Sequence, residues 1–331
     1  MARARATSFS TTTLAIFILC MSLIGQSYGQ LKQGFYSGRC GTNNVEQIIY
    51  GIVANAFETD KTIVAALLRM QFHDCAVRGC DASILLDVTG SEKTGPSNGS
   101  VRGYELIDAI KARLEQLCPG VVSCADIIVI ATRVSVVLAQ GKWYNVETGR
   151  RDGYISSAKE AESSLPSPKI PVSDAVKLFG HWGLSADDFV LLLGGGHTVG
   201  IIHCSKFLDR LYNYQNTGKE DPSMNKNTLW SFRQTCPKSG SNNFVFADQT
   251  PGSVLKVDNG YYKAITQGQG VLEIDQRIAS HSLTMNTVNR LDYKVGDFDY
   301  QFGGAMVKLG RVGVLTGTQG QVRKNCRRNN Y

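Results

Sequence analysis

Residues 67–86 read LLRMQFHDCAVRGCDASILL, and no other stretch of the chain holds so many chemically committed side chains in so few positions. Just upstream, Ile63, Val64, Leu67 and Leu68 recur at helical spacing behind Asp60, which can cap the helix they predict. That register puts Arg69, Phe72 and His73 on one arc of the final turns, so a cation, a ring and an imidazole share a face. Asp74, Cys75, Cys80, Asp81 and Ser83 follow in a predicted loop where oxygen-bearing side chains alternate with backbone carbonyls, a donor set suited to a hard cation such as calcium. A buried His beside a solvated Arg, with Asp residues capping turns, would explain each residue singly but not their combination.

Outward from this stretch, the chain of 331 residues opens with a segment that predicts a secretory signal peptide over residues 1–29. It carries Arg3 and Arg5, no acidic residue, an apolar run from Leu14 to Ile24 and small residues before Gln30. The run is too short to span a bilayer, and no later stretch is apolar for long enough, so the mature chain reads as soluble. Removing the segment lowers the formal charge from +7 to +5. Lys and Arg are scattered except for Arg323, Lys324, Arg327 and Arg328, which read as a solvated tail and not as the basic stripe of a nucleic-acid binder. Of nine cysteines, Cys20 leaves with the leader, and eight in a secreted chain predict four disulfides, for which the sequence alone permits 105 pairings.

Along the remaining chain, Asn44 precedes a helical stripe of Val45, Ile48, Ile49, Ile52, Val53 and Ala56, and further helices are predicted over Tyr104–Leu117 and Cys124–Ala139. Trp143 to Pro168 shows no sustained period and reads as an irregular crossing. Ser173 then caps a helix carrying Ala175, Val176 and Phe179, and Ser185 with Asp188 forms a capping box. That box opens DDFVLLLGGGHTVG. A phosphate-binding loop would need a following Lys–Ser/Thr pair and a preceding strand, both absent here, so the three glycines before His197 point to close backbone approach to a bulky flat ligand. A zinc site at His197, His203 and Cys204 lacks a fourth nearby ligand. A last helix is predicted near Asp299–Leu309, with no internal repeat and no domain linker.

The opening stretch resembles the distal-haem signature of the secreted plant (class III) haem peroxidases at Leu68, Arg69, Phe72, His73, Asp74, Cys75, Val77, Gly79, Cys80, Asp81 and Ser83–Leu86. His197-Thr198-Val199-Gly200 with Cys204 and Phe207 is similar to the segment carrying that family's proximal His. The resemblance runs from Gln30 to about Cys326. It implies a mainly α, two-lobed fold over 30–331 with one haem b between a distal and a proximal lobe, and the pairing Cys40–Cys118, Cys75–Cys80, Cys124–Cys326 and Cys204–Cys236.

It further implies that His73 moves a proton between the peroxide oxygens and that Arg69, which stays charged, stabilises the developing negative oxygen, with Phe72 beside them. Asn98, six residues after Glu92, is implied as the acceptor for the other nitrogen of His73, although Asn98-Gly99-Ser100 is also a glycosylation sequon. His197 is implied as the axial iron ligand, with Asp275 accepting its N–H. Two calcium ions are implied: a distal one at Asp74, Val77, Gly79, Asp81 and Ser83 with Glu92 behind, and a proximal one at Thr198, Asp248, Thr250 and Asp258. At the latter the chain departs from the commonest family pattern by a longer bulge between Thr250 and Asp258. Pro166 is implied at the exposed haem edge, where Lys169 and Lys206 stand in positions that family members often fill with apolar or aromatic residues. The implied activity is that of a donor:hydrogen-peroxide oxidoreductase taking electrons singly from small phenols. It would act as a monomer outside the cell, in the wall or apoplast in preference to the vacuole, with affinity for acidic wall polymer and none for membrane or nucleic acid. An intracellular ascorbate-type peroxidase is opposed by the leader and the cysteines, and a catalytically silent wall-binding relative by the presence of Arg69, His73 and His197.

Overall fold

The computed structural model describes residues 31–294 and 296–330, and the expected signal peptide with Cys20 lies outside them. Helix α1 (Val45–Thr59) starts where the sequence predicts, with the Asn44 side chain accepting the Gln47 N–H at 3.1 Å. It buries Val45, Ile49, Val53 and Phe57 along one stripe. Asp60 does not cap the next helix. It ends α1, and its carboxylate accepts the Thr62 N–H at 2.8 Å, which tightens the turn before α2 (Ile63–Cys75) begins. Helix α2 runs further than expected, so that Asp74 and Cys75 are still helical.

Helices α3 (Tyr104–Leu117) and α4 (Cys124–Leu138) complete the first half. Helix α4 is buried at every position from Cys124 to Val136 and packs on both α1 and α2, as a helix apolar on all sides must. Each of its buried Val and Ile side chains contributes about 1.5–3 kcal/mol of transfer free energy.

The crossing after α4 is irregular but not loose. Thr148 bridges to Lys32, Arg151 to Leu315 and Asp152 to Gln321, so the segment is stitched to both ends of the described chain. Asp126, wholly buried, accepts from the Tyr36 hydroxyl at 2.6 Å, the Gly149 N–H at 2.6 Å and Arg150 Nη1 at 2.9 Å. With the Arg150 N–H at 3.2 Å, four donors around one carboxylate hold a charge that would cost several kcal/mol if left alone. The crossing also contains a short helix the pattern did not reveal, α5 (Ala158–Ser164), because only Ala161 of its residues is buried and no stripe exists to detect.

Helix α6 (Val172–His181) starts after Pro171, two positions earlier than a Ser173 cap would give; the fixed φ of proline already suits a helix entry. Helix α7 (Ala186–His197) has the predicted box, with Ser185 N donating to Asp188 Oδ2 at 2.9 Å and Asp188 N donating to Ser185 Oγ at 3.1 Å. The second half continues with α8 (Leu208–Tyr212), α9 (Lys226–Thr235), α10 (Gly260–Thr266), α11 (Glu273–Ile278), α12 (Met285–Tyr293) and α13 (Asp297–Leu309), the last beginning before the expected Asp299. A two-stranded antiparallel ribbon, Ile201–His203 with Phe244–Phe246, is the only named sheet among the described residues. Helix α7 lies at the centre of this half, packed chiefly on α13 and α6 and also touching α10, α11 and α12. It also meets α2, so the two helices that carry the histidines face each other across the two halves.

All four disulfides join the expected partners: Cys40–Cys118, Cys75–Cys80, Cys124–Cys326 and Cys204–Cys236. The C-terminal basic cluster is not a solvated tail. Arg323 is fully buried and donates to the Cys326 and Ala82 carbonyls, each at 2.7 Å, while Arg327 pairs with Asp108 at 2.7 Å. Only Lys324 and Arg328 of the four face solvent. No helix among the described residues is long and apolar enough to cross a membrane.

Candidate active site

Near the end of α2, three side chains close a polar circuit. Arg69 Nε donates to His73 Nε2 at 3.3 Å, and its two terminal nitrogens donate to Ser100 Oγ and the Ser97 carbonyl, both at 2.9 Å. The other imidazole nitrogen, Nδ1, lies 2.5 Å from Asn98 Oδ1. The orientation of that amide is set by Asn98 Nδ2 donating to the Glu92 carbonyl at 2.9 Å, which leaves its oxygen toward the ring. Because that oxygen only accepts, Nδ1 carries the proton and Nε2 keeps its lone pair. Burial first, and then the neighbouring Arg69 charge, lower the His73 pKa to about 4, against an opposing effect of the Asn98 bond. The imidazole is therefore neutral at neutral pH, with its basic nitrogen beside a fixed guanidinium. Phe72 meets the His73 ring edge-on at 5.9 Å between ring centroids, and also stacks on Phe179 of α6 at 5.9 Å and meets Trp182 edge-on at 6.0 Å. It joins the two halves by packing.

The circuit continues into the loop after α2. Asp74 accepts the Ala82 N–H at 2.9 Å, and Ala82 holds a left-handed φ of 58° that costs a non-glycine residue about 1–2 kcal/mol. Gly79, at φ 101°, lies so near the Gly313 backbone that a Cβ would collide with it, so steric approach alone demands glycine there. Asp74, Asp81, Ser83 and Glu92 are all buried, and neither the Ser83 hydroxyl nor one Glu92 carboxylate oxygen has a hydrogen-bond partner. Burial, with Asp81 nearby, pushes Glu92 up to about 7; burial reinforced by Asp81 and Glu92 raises Asp74 well above the usual carboxylate range. Several buried acids with orphaned oxygens, and only the Arg323 guanidinium near Asp81 to offset them, suit a bound cation. No three His, Cys, Asp or Glu side chains converge among the described residues, so such a cation would rely on hydroxyl and carbonyl oxygens as well.

His197 ends α7. Its Nδ1 lies 2.8 Å from Asp275 Oδ1, while Nε2 makes no hydrogen bond among the described residues. Asp275 is fully buried; its second oxygen accepts the Leu272 N–H at 3.0 Å, and the Tyr261 hydroxyl donates to Oδ1 at 3.0 Å. The glycines before His197 divide their work. Gly194 and Gly195 make room for the rings of Tyr262 and Phe302, so their smallness serves helix packing, whereas a Cβ on Gly196 would meet nothing within 4 Å. Only the last of the three leaves open space beside His197.

A histidine on each of two facing helices, one with an unpartnered Nε2 and the other neutral with its Nε2 lone pair toward a half-buried Arg, fits peroxide chemistry at a haem. A model of the family described as Peroxidase matches residues 49–294. The chain belongs to the plant peroxidase family. It is similar to Peroxidase 57 of Arabidopsis thaliana, at 47% identity covering 97% of this chain and 98% of that one. It is also similar to Peroxidase 60 of the same plant, at 46% over 96% of each, and to Peroxidase 5 of Vitis vinifera, at 41% over 99% of each. This peroxidase is therefore an enzyme of a haem-dependent family that consumes hydrogen peroxide and a reducing substrate.

On the proximal side of the peroxidase, Thr198 donates to the Lys256 and Asp258 carbonyls at 3.2 Å, and Asp258 Oδ1 accepts from Ser253 Oγ and the Gly260 N–H. Asp248 has one buried oxygen without a partner. Thr250 stands beside them, but its hydroxyl donates to the Gly260 carbonyl at 2.7 Å. Ser253, from the bulge between Thr250 and Asp258, enters this cluster and was not foreseen, because nothing in a run of loop residues marks which one folds back. Tyr261, on α10, was also missed, because its bond to Asp275 of α11 joins two helices and leaves no mark on either one's periodicity. At the expected donor edge, Pro166 is half-buried in the loop after α5. Lys169 there does not stand free: it pairs with Asp209 at 2.6 Å.

Asn98 is 1% exposed and its side chain is committed at both ends, so its sequon and its hydrogen bonds exclude each other. Protein secreted from a glycosylating host is expected to carry no glycan at Asn98. Peptide mapping of active enzyme checks this, and a glycopeptide spanning that residue would refute the role of its side chain.

Proposed function

We propose that this peroxidase is a secreted enzyme of the cell wall or apoplast that reduces hydrogen peroxide at one haem b and oxidises small phenolic donors one electron at a time. The observation that carries this reading is the state of His73, neutral, with its proton fixed on Nδ1 by Asn98 and its Nε2 beside Arg69. When bound, the haem supplies the electrons that cleave the O–O bond.

The residues do the rest. His73 Nε2 accepts the proton of the near peroxide oxygen and returns it to the leaving oxygen as water departs. Arg69 stabilises the negative charge that grows between those two transfers, and it holds that charge at any pH because guanidinium does not deprotonate. His197 would hold the iron through Nε2, its free nitrogen, with Asp275 keeping the other nitrogen's proton and raising the basicity of the ring. The Glu92–Asn98–His73 chain ties the proton-transfer group to the distal loop, where Asp74, Val77, Gly79, Asp81 and Ser83 would hold a calcium ion with Glu92 behind them. A second calcium would sit among Thr198, Asp248, Thr250 and Asp258. Electrons enter at an exposed edge near Pro166, so no deep substrate pocket is required, and the enzyme works as a monomer. Burial of Arg323 and pairing of Arg327 leave little exposed charge at the C-terminus for acidic wall polymer.

Purified enzyme should show a Soret band and turn over guaiacol or ferulate only with peroxide; a protein without haem, or with haem and no phenol turnover, would sink the proposal.

With Lys169 neutralised by Asp209, attraction for an anionic phenol falls to Lys206, which is exposed and makes no ion pair among the described residues. Exposed charges interact by about 0.2–1 kcal/mol and are screened within about 8 Å at physiological salt. Ferulate is therefore expected to exceed its neutral alcohol analogue in kcat/KM by roughly 1.4- to fivefold at low salt, with the preference shrinking in 0.5 M salt and in Lys206→Gln. A ratio indifferent to both salt and substitution would make Lys206 a bystander.

A further inference from the structure

Asp275 Oδ1 accepts two hydrogen bonds at once, from His197 Nδ1 at 2.8 Å and from the Tyr261 hydroxyl at 3.0 Å. A carboxylate has no proton to give, so Tyr261 is the donor. The shared oxygen and its tyrosine donor are sealed from water: Asp275 is 0% and Tyr261 1% exposed, while the His197 side chain is 28% exposed. Tyr261 is held in place by an edge contact with Tyr262 at 5.2 Å and lies 6.2 Å from the His197 ring, centroid to centroid. The hydroxyl stays protonated at any working pH, because burial and the Asp275 charge both push its pKa well above the ordinary value.

Two donors on one oxygen compete for the same electron density, and in a dry site nothing dilutes the competition. We propose that Tyr261 is a positioning residue for the proximal couple, whose hydroxyl draws charge from Asp275 Oδ1 and so limits how much anionic character Asp275 can confer on His197. The inference rests on His197 being the iron ligand. It assigns the setting of the axial ligand's basicity to a tyrosine as well as to the aspartate: Asp275 raises that basicity and Tyr261 holds it back.

The test uses the haem-loaded enzyme and reads the iron, not turnover. Tyr261→Phe keeps the ring and removes the donor. Its Fe(III)/Fe(II) midpoint should fall by an amount equal to about a tenfold change in the oxidised-to-reduced ratio, ~59 mV for one electron. The iron–histidine stretch of the ferrous enzyme should rise in frequency. In an Asp275→Asn background the same substitution should change neither, since the charge it competes for is gone. Should Tyr261→Phe fail to accumulate, site-specific 3-fluorotyrosine at 261, a more acidic donor, should move both readouts the opposite way. An unchanged midpoint in Tyr261→Phe, an equal shift in the Asp275→Asn background, or a fluorotyrosine shift of the wrong sign would overturn the proposal. Wild-type protein without a Soret band would instead remove the haem reading on which it stands.

Discussion

His73→Ala is expected to lower the second-order rate constant for reaction with hydrogen peroxide by 10²–10⁴-fold or more, the usual range for loss of a general acid–base group, while the resting protein keeps its haem. No neighbour can substitute. Asn98 is neither acid nor base near pH 7, and Arg69 does not give up its proton. Haem retention should be spared because the proposed iron ligand, His197, lies on α7, not α2. Stopped-flow mixing with peroxide measures the rate, and the Soret band of the resting mutant controls for retention. The pH profile provides an independent check. With the His73 pKa lowered to about 4, the basic form dominates from neutrality down to about pH 5, so the wild-type rate should be flat there and fall only as pH drops through about 4. That acid limb should vanish in the mutant. An unchanged rate in His73→Ala, or a wild-type limb centred near the ordinary histidine pKa, would remove His73 from the proton transfer.

Breaking the bond that closes most of the chain should have the largest effect on stability. Cys124 and Cys326 are 202 residues apart, and on the chain-entropy model a loop of that size contributes about 5 kcal/mol. Cys75 and Cys80, five apart, contribute about 2 kcal/mol on the same model. The double variant Cys124→Ser/Cys326→Ser should therefore unfold at a much lower guanidinium concentration than Cys75→Ser/Cys80→Ser. Its loss should exceed the loop estimate, because Cys326 anchors the segment in which Arg323 donates to the Ala82 and Cys326 carbonyls and Arg323 N donates to Asp152 Oδ2. Equal midpoints for the two variants would mean that the long loop is closed by packing alone.

Much of the fold was written in local pattern. Asn44 and Ser185 announced helix starts because a side-chain oxygen at that position can satisfy an otherwise orphaned N–H, whatever the rest of the chain does. The stripes of α1 and the continuous apolar run of α4 were readable because one periodicity decides which face is buried. Errors fell where local pattern had a rival. Asp60 has the chemistry of an N-cap, but the chain turns once more before α2, and Pro171 set the start of α6 ahead of Ser173.

Apart from the acid Asp275 and the amide Asn98, which the family resemblance supplied, the sequence by itself determined the chemistry available: two histidines, a guanidinium near one of them, and eight cysteines for four bonds. These are properties of residue type and short-range spacing, which survive in any conformation. What only the tertiary structure decided were relations between residues far apart in the chain. Arg323, read as tail, is buried against Ala82; Lys169, placed by the resemblance at the haem edge, pairs with Asp209; two of three glycines serve Tyr262 and Phe302; and Tyr261 shares an oxygen with His197. Each depends on which distant group occupies the same few cubic ångströms, and an interaction energy that falls away within a few ångströms leaves no mark on the spacing of residues along the chain.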